Sequence, residues 1–272
     1  MRSLESIKDW PVDHAAGAVV SENGVVARAG DTTRVYRLAS VTKLLAAYAV
    51  LVAAEEGAVE LDQPAGPPGS TVRHLLSHAS GLAMYEPTKL SEPGKRRIYS
   101  SAAFEVLAEH LADQTGIGFA DYLREAVLTP LGMDDTDLTG SAGHGAHSSV
   151  DDLTAFLQEL LDPKLISSET LNEAVSVQFP GLDGVVPGYG RQRPNDWGLG
   201  FELRDGKDPH WTAPTNSERT FGHFGQSGTF LWVDPQLRAG CVVLTDRDFD
   251  EWAKPLWTDF NAAVVGELAG SG

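Results

Sequence analysis

The stretch Leu38-Ala39-Ser40-Val41-Thr42-Lys43 decides the reading of this chain. A strand-like run over residues 34–38 delivers the backbone to Ser40, and an apolar run from Val41 to Glu55, stopped by Gly57, carries helical periodicity. Ser40 therefore falls at or beside a helix N-terminus, and Lys43, three residues on, shares a helical face with it. The unpaired N–H groups of a first turn and the helix dipole favour negative charge on the serine oxygen and disfavour an ammonium at Lys43. Burial beside Leu44, Ala46 and Ala47 acts in the same direction, so the amine is a candidate base near neutral pH. Taken alone, the same residues also describe a capped core helix. Two details oppose that plainer reading: a helix apolar on all sides is buried, so Lys43 needs a partner, and a first-turn lysine opposes the dipole.

Composition narrows the function classes. The chain has 272 residues, of which 42% are hydrophobic and 22% charged, enough for one large domain or two intimate lobes without staples. A net charge of −17 disfavours nucleic acid and anionic membrane surfaces as partners. The single cysteine, Cys241, lies in an apolar strand-like run and reads as a packed thiol. Residues 1–13 contain no apolar leader segment, and no run is long enough to span a bilayer, so the expected location is the cytoplasm.

The chain begins with β patterning. Ala16–Val20 and Val25–Ala29 flank the hairpin signal Glu22-Asn23-Gly24, and Thr32–Leu38 is a third extended segment. Helical patterns follow at 41–55, 71–77, 101–115, 119–127, 149–161 and 168–177, with Gly181–Asn195 read as loop. Extended character returns at Trp197–Leu203, Gly228–Val233 and Gly240–Thr245, and Glu251–Leu268 has helical periodicity. This order predicts a single α/β (α+β) domain over 1–272: an antiparallel sheet formed by both chain ends and flanked by helices, with an all-α insertion lobe. The α/β lobe would comprise 1–57 and 196–272 and the helical lobe 58–195, with a site in the cleft between them.

Four later motifs follow Ser40-Val-Thr-Lys43 in order: Val72-Arg-His-Leu-Leu-Ser-His-Ala-Ser-Gly-Leu82, Tyr99-Ser-Ser101, Pro130-Leu-Gly-Met133 and Gly222-His-Phe-Gly-Gln-Ser-Gly228. Together they resemble the serine β-lactamase and penicillin-binding protein family, in its class C-like and esterase-like branch, from about Ala16 onward. The resemblance implies a β-lactamase/transpeptidase-like fold, with no cofactor and no metal.

It also implies roles. Ser40 would be the acylated nucleophile, Lys43 the base or the base's electrostatic partner, and Tyr99 a proton shuttle whose phenol ionises below its free pKa of about 10. Ser101 stands where the family usually has asparagine, and its shorter side chain also suits helix capping. His223-Phe224-Gly225 stands where class C enzymes carry Lys-Thr-Gly. His223 keeps a donor but is fully charged only below a pKa near 6.5, and the bulky Phe224 replaces a hydroxyl. Gly225 would let backbone approach substrate, and the Gln226 N–H would complete an oxyanion hole with that of Ser40.

Other candidates carry less. His74 and His78 lie four apart on a helix without the intervening glutamate of a metal-hydrolase pattern, so packing is expected. His144 and His147 read as loop residues. Asp134-Asp135 and Asp151-Asp152 read as a solvated turn and a helix start, while Trp197, Trp211 and Trp232 either line the cleft or pack. The expected activity is serine hydrolysis through a Ser40 acyl-enzyme on a small ester, amide or lactam, with esterase or D-amino-acid peptidase action favoured over efficient lactam hydrolysis. The alternative is a penicillin-binding or sensing protein that acylates without turnover.

Overall fold

In the computed structural model, which describes residues 1–270, the two ends of the chain meet in one antiparallel sheet. A short helix α1 (Arg2–Glu5) leads into β1 (Ala15–Ser21), β2 (Gly24–Ala29), β3 (Tyr36–Arg37) and the long helix α2 (Thr42–Glu55). The middle of the chain supplies α3 (Val72–Leu76), α4 (Ala102–Thr115), α5 (Phe119–Leu123), α6 (Thr129–Leu131), the short strands β4 (Asp137–Leu138) and β5 (Ala146–Ser148), then α7 (Val150–Leu161) and α8 (Ser168–Ala174). A hairpin of β6 (Gly184–Val186) and β7 (Gly190–Gln192) precedes β8 (Glu202–Leu203), β9 (Phe221–Gly225), β10 (Thr229–Asp234), β11 (Ala239–Thr245) and the helix α9 (Ala253–Ala269).

The sheet runs β2-β1-β11-β10-β9-β8, with Ala15 opposite Thr245 and Ser21 opposite Ala239. Its middle strands are buried on both faces, which is why they read as unbroken apolar runs. Ala18, Leu231, Val242 and Leu244 share one core with Leu44 of α2 and Phe156 of α7. Val19, Trp232, Cys241 and Val243 share the other with Leu4 and with Phe260 of α9. Cys241 is thus a packed thiol, as its flanking residues suggest. The expected architecture, an antiparallel sheet from both chain ends flanked by helices with a helical insertion, is the one observed. Helix α7, inside the stretch assigned to the helical lobe, packs across β1, β10 and β11 and ties itself to β2 through Arg28 and Asp151, 3.0 Å apart. Among the described residues no helix is long and apolar enough to cross a membrane.

Local expectations fail where pairing overrides pattern. The segment Thr32–Leu38 does not extend the main sheet; only Tyr36–Arg37 is strand, paired with His147–Ser148 in a small sheet ordered β3-β5-β4. The chain turns away there because the Leu38 carbonyl is taken by the Thr229 hydroxyl at 2.9 Å, which brings the following residues beneath β9. Strand β9, whose two glycines weaken the local strand signal, is held by β8 on one side and β10 on the other. The loop expected over 181–195 contains the β6–β7 hairpin, whose turn uses Gly188 and Gly190 at φ +78° and +80°. Of Trp197–Leu203 only Glu202–Leu203 is strand. The helix expected over 119–127 runs on through a π-helical turn, Arg124–Leu128, into α6, and ends at Gly132 in the left-handed conformation.

One buried side chain fastens α9 to the sheet. Asn261 accepts a hydrogen bond from the Trp232 indole at 2.8 Å and donates to the Trp211 carbonyl at 3.2 Å. Asn261→Leu fills the same space and strands both partners, so it should lower the unfolding free energy by about 2–4 kcal/mol. Urea titration followed by tryptophan fluorescence measures this.

Candidate active site

Ser40 is delivered by a tightly tethered segment rather than by a capped helix start. It is the middle residue of a 3-10 turn, Ala39–Val41, that runs into α2, and Leu38 at its head makes no side-chain cap. Ala39 takes φ +45°, a left-handed conformation unusual for alanine. The surroundings impose it: the Ser227 hydroxyl holds the Arg37 carbonyl at 2.7 Å, and the Leu38 N–H donates to Ala146 at 3.0 Å. A side chain at Gly225 would stand 2.3 Å from the Leu38 carbonyl oxygen, so this glycine lets β9 press against the segment that carries Ser40. The glycine thus has a packing role beside the close approach of substrate expected of it. The Thr42 hydroxyl, between nucleophile and lysine, accepts the Ala146 N–H at 3.0 Å and locks β5 to α2.

Lys43 is fully buried. Its Nζ lies 2.8 Å from the Gly143 carbonyl oxygen, 3.0 Å from Ser101 Oγ and 3.3 Å from Ser40 Oγ. Burial drives its pKa down to about 7, against a smaller opposing pull from the Glu105 carboxylate. A neutral amine has two N–H donors and one lone pair. With the donors given to Gly143 and Ser101, the lone pair is left for the Ser40 hydroxyl.

Tyr99 completes the cluster, its hydroxyl donating to Ser40 Oγ at 2.6 Å. Its ring centroid stands 4.7 Å from Lys43 Nζ and 4.7 Å from the His78 ring. Here a sequence expectation is corrected. Burial raises the Tyr99 pKa above that of a free phenol and outweighs the lowering by its Ser40 hydrogen bond. With the Lys43 pKa brought down to about 7, the amine is no permanent cation that would draw the phenol toward ionisation. The segment bearing Tyr99 is clamped by the buried Arg97, which donates to the carbonyls of Asn195 at 2.9 Å, Ser77 at 2.7 Å, Gln178 at 2.7 Å and Phe179 at 3.1 Å.

Ser40, Tyr99, Ser101, His223, Phe224 and Gln226 all border one cavity of about 300 Å³. Lys43 lies outside its lining, hydrogen-bonded to Ser40 and Ser101. The Ser101 hydroxyl makes no helix cap; it accepts from Lys43, and the neighbouring Ser100 hydroxyl accepts the Ala103 N–H of the first turn at 3.0 Å instead. His223 is also corrected. Its Nδ1 is 2.6 Å from the Phe224 carbonyl oxygen, which can only accept, so Nδ1 carries the proton. Burial and the nearby Lys43 bring its pKa down to about 4, leaving Nε2 without a proton and no cation at this position near neutral pH. Phe224 packs among Tyr189, Trp211, Phe249 and Trp257 and presents only an edge to the cavity.

His74 and His78 are structural, as expected. The Thr71 hydroxyl lies 2.9 Å from His74 Nδ1, and the Ser100 N–H donates to His78 Nδ1 at 3.1 Å. Of the tryptophans left open, Trp197 lines the cavity, while Trp211 and Trp232 pack in the core.

Several site residues were not picked out in the sequence. Gly143 holds Lys43, and three glycines within residues 140–145 were the available signal; His144 beside it, read from sequence as a loop residue, lines the cavity. Glu202 also reaches the cavity wall, buried against Lys207 at 3.5 Å, His210 at 3.1 Å and the Trp211 indole at 2.8 Å. Burial alone would raise its pKa, but Lys207 and His210 hold it well below the usual carboxylate range. No spacing rule would have joined 202 to 207, 210 and 211, because an irregular loop brings them together.

Known proteins share this fold. The β-lactamase family model matches residues 13–265. A crystal structure of a β-lactamase from Mycobacterium bovis is 58% identical, superposes with a TM-score of 0.97, and is matched over 98% of this chain and 99% of that one. The hydrolase EstCE1, described as having promiscuous acyltransferase activity, shares the fold at a TM-score of 0.77 and 18% identity, over 97% of this chain and 96% of that one. Among curated relatives, the D-alanyl-D-alanine-carboxypeptidase/endopeptidase AmpH of Escherichia coli is 29% identical over 144 residues, which span 39% of this chain and 37% of AmpH. The match to penicillin-binding protein 4* of Bacillus subtilis is 25% over 138 residues, 39% of this chain and 31% of that protein, so the matched stretches span about a third of these curated relatives. With the family model covering nearly the whole sequence, the chain belongs to the β-lactamase family of serine hydrolases.

Proposed function

We propose that the chain hydrolyses small esters or amides through an acyl-enzyme on Ser40. The observation that carries this reading is the three-way contact of Ser40 with a desolvated amine at 3.3 Å and a protonated phenol at 2.6 Å. The Ser40 proton passes to the Lys43 lone pair as Oγ attacks the acyl carbon, and Tyr99 steadies the oxygen with its hydrogen bond. The leaving group takes a proton from the same pair, and water then repeats the sequence in reverse to free Ser40. The backbone N–H groups of Ser40 and Gln226, both at the cavity wall, serve as the oxyanion donors, each worth about 3 kcal/mol of barrier.

Esters and D-amino-acid amides suit the cavity better than penicillins. A lactam carboxylate finds no cation at His223, whose Nδ1 is already committed to Phe224. Ser101, which replaces the family asparagine, is turned toward Lys43. The 58% identity to a protein described as a β-lactamase supports a second reading in which lactams are turned over efficiently.

A panel of p-nitrophenyl esters, D-alanyl amides and a chromogenic cephalosporin separates the two. Ester or D-alanyl amide turnover should exceed cephalosporin turnover in kcat/KM, and rapid cephalosporin hydrolysis reverses the ranking. Ser40→Ala should lose covalent labelling by an activity probe in intact-mass measurements and lose activity by about 10³-fold or more. Tyr99→Phe should lower kcat by about 10²-fold with KM little changed, read from steady-state kinetics. Because Lys43 acts in its neutral form, kcat/KM should fall as pH drops through about 7, tenfold per pH unit below that point.

A further inference from the structure

Two residues that no motif contains, Gly143 and Ser141, connect Lys43 to the Glu105 carboxylate on another helix. The Gly143 carbonyl accepts the shortest of the Lys43 hydrogen bonds, 2.8 Å. Gly143 is held in turn by Ser141, whose Oγ accepts the Gly143 N–H at 3.0 Å and whose own proton goes to Glu105 Oε1. The Ser141 carbonyl also takes the N–H groups of His144 at 3.1 Å and Gly145 at 2.6 Å, so one serine organises the turn. A side chain at Gly143 would press on Ser101 at 3.0–3.2 Å, and one at Gly145 would collide with the Ser141 backbone at 2.4 Å. The glycines therefore let a carbonyl enter beside Lys43. Glu105, half-buried in the first turn of α4, follows Phe104, whose ring lies 5.6 Å from Lys43 Nζ.

We propose that Glu105 is a positioning residue for Lys43, acting through Ser141 and the Gly143 carbonyl. The carboxylate fixes the Ser141 hydroxyl, the hydroxyl fixes the turn, and the turn sets where the amine's first N–H points. That orientation decides whether the lone pair faces Ser40. The carboxylate's charge also favours the ammonium and opposes the desolvation of the amine. The other titratable groups around the amine are Tyr99 from the clamped loop, His78 from the turn after α3, and His223 from β9, with Glu202 beyond His223. The two imidazoles are held neutral by burial, which leaves Glu105 as the charge the amine feels. This inference rests on Lys43 being the base of the proposed reaction.

Two variants separate charge from position. Glu105→Gln keeps an oxygen for Ser141 and removes the charge, so the acid limb of kcat/KM should move to lower pH by about half a pH unit or more. Ser141→Ala keeps the charge and breaks the link; kcat should fall about tenfold while the acid limb stays at its wild-type pH, and Ser141→Thr should restore kcat. The Lys43 titration is also read directly by carbon NMR of a lysine-labelled sample, tractable with seven lysines and assigned by Lys43→Arg. A titration point that is unchanged or raised in Glu105→Gln overturns the proposal, as does wild-type kcat in Ser141→Ala. Because the NMR measurement needs no turnover, an inactive wild type would remove the hydrolase reading while leaving this test able to decide.

Discussion

The amine of Lys43 has no solvent-exposed surface, and the rest of the site is arranged around that fact. An ammonium so placed loses its hydration without a carboxylate in contact to replace it, and the group responds by releasing its proton. A neutral amine in a dry site then needs acceptors for its N–H groups and a donor for its lone pair. Gly143, Ser101 and Ser40 meet those needs in turn. The same burial keeps the phenol of Tyr99 protonated and the rings of His78 and His223 neutral. Above pH 7 the amine, the phenol and both imidazoles are therefore mainly uncharged at rest. Charge develops only when Ser40 gives up its proton, in surroundings whose dipoles are already aligned.

One buried carboxylate at the cavity wall, Glu202, is matched on the spot. Lys207 supports the cavity wall through the carbonyls of Asp196 at 2.8 Å and Leu203 at 2.5 Å while neutralising the carboxylate at 3.5 Å. His210 and Trp211 occupy its remaining acceptor capacity. Buried ion pairs of this kind give little net stability, because desolvation consumes most of the attraction. Their effect here is geometric: they fix the wall that carries Trp197 and His223 without adding a cation for an anionic substrate.

How much of this could be read from sequence depended on whether the signal was local. The apolar runs of β1 and β11 are local, and they stand where the pattern places them. Ser40, Lys43, Tyr99, Ser101, His223, Phe224 and Gln226 converge because a family resemblance linked motifs that spacing alone could not. What escaped was set by partners distant in the chain. Strand β9 is held by β8 and β10 on either side, while its two glycines weaken the local strand signal. The neutrality of His223 comes from burial and from a lysine far upstream, against the opposing pull of the Phe224 carbonyl. Gly143 escaped for the same reason, since its role is defined by a side chain from α2. Phenol ionisation at Tyr99 was expected from a nearby ammonium, and burial of both groups reverses the inference.

The register of the sheet bears on how the polypeptide reaches this arrangement. Strand β1 pairs with β11 along its whole length, so β1 waits for a strand synthesised long after it. During translation β1 and β2 form at most a two-stranded ribbon with an open edge, a species prone to pair with neighbouring chains. The helices between them rely on contacts closer in sequence and are free to gather first. A nascent chain of this topology closes its barrier-crossing contacts late and slowly, which makes its emergence from the ribosome the interval when a chaperone has most to protect.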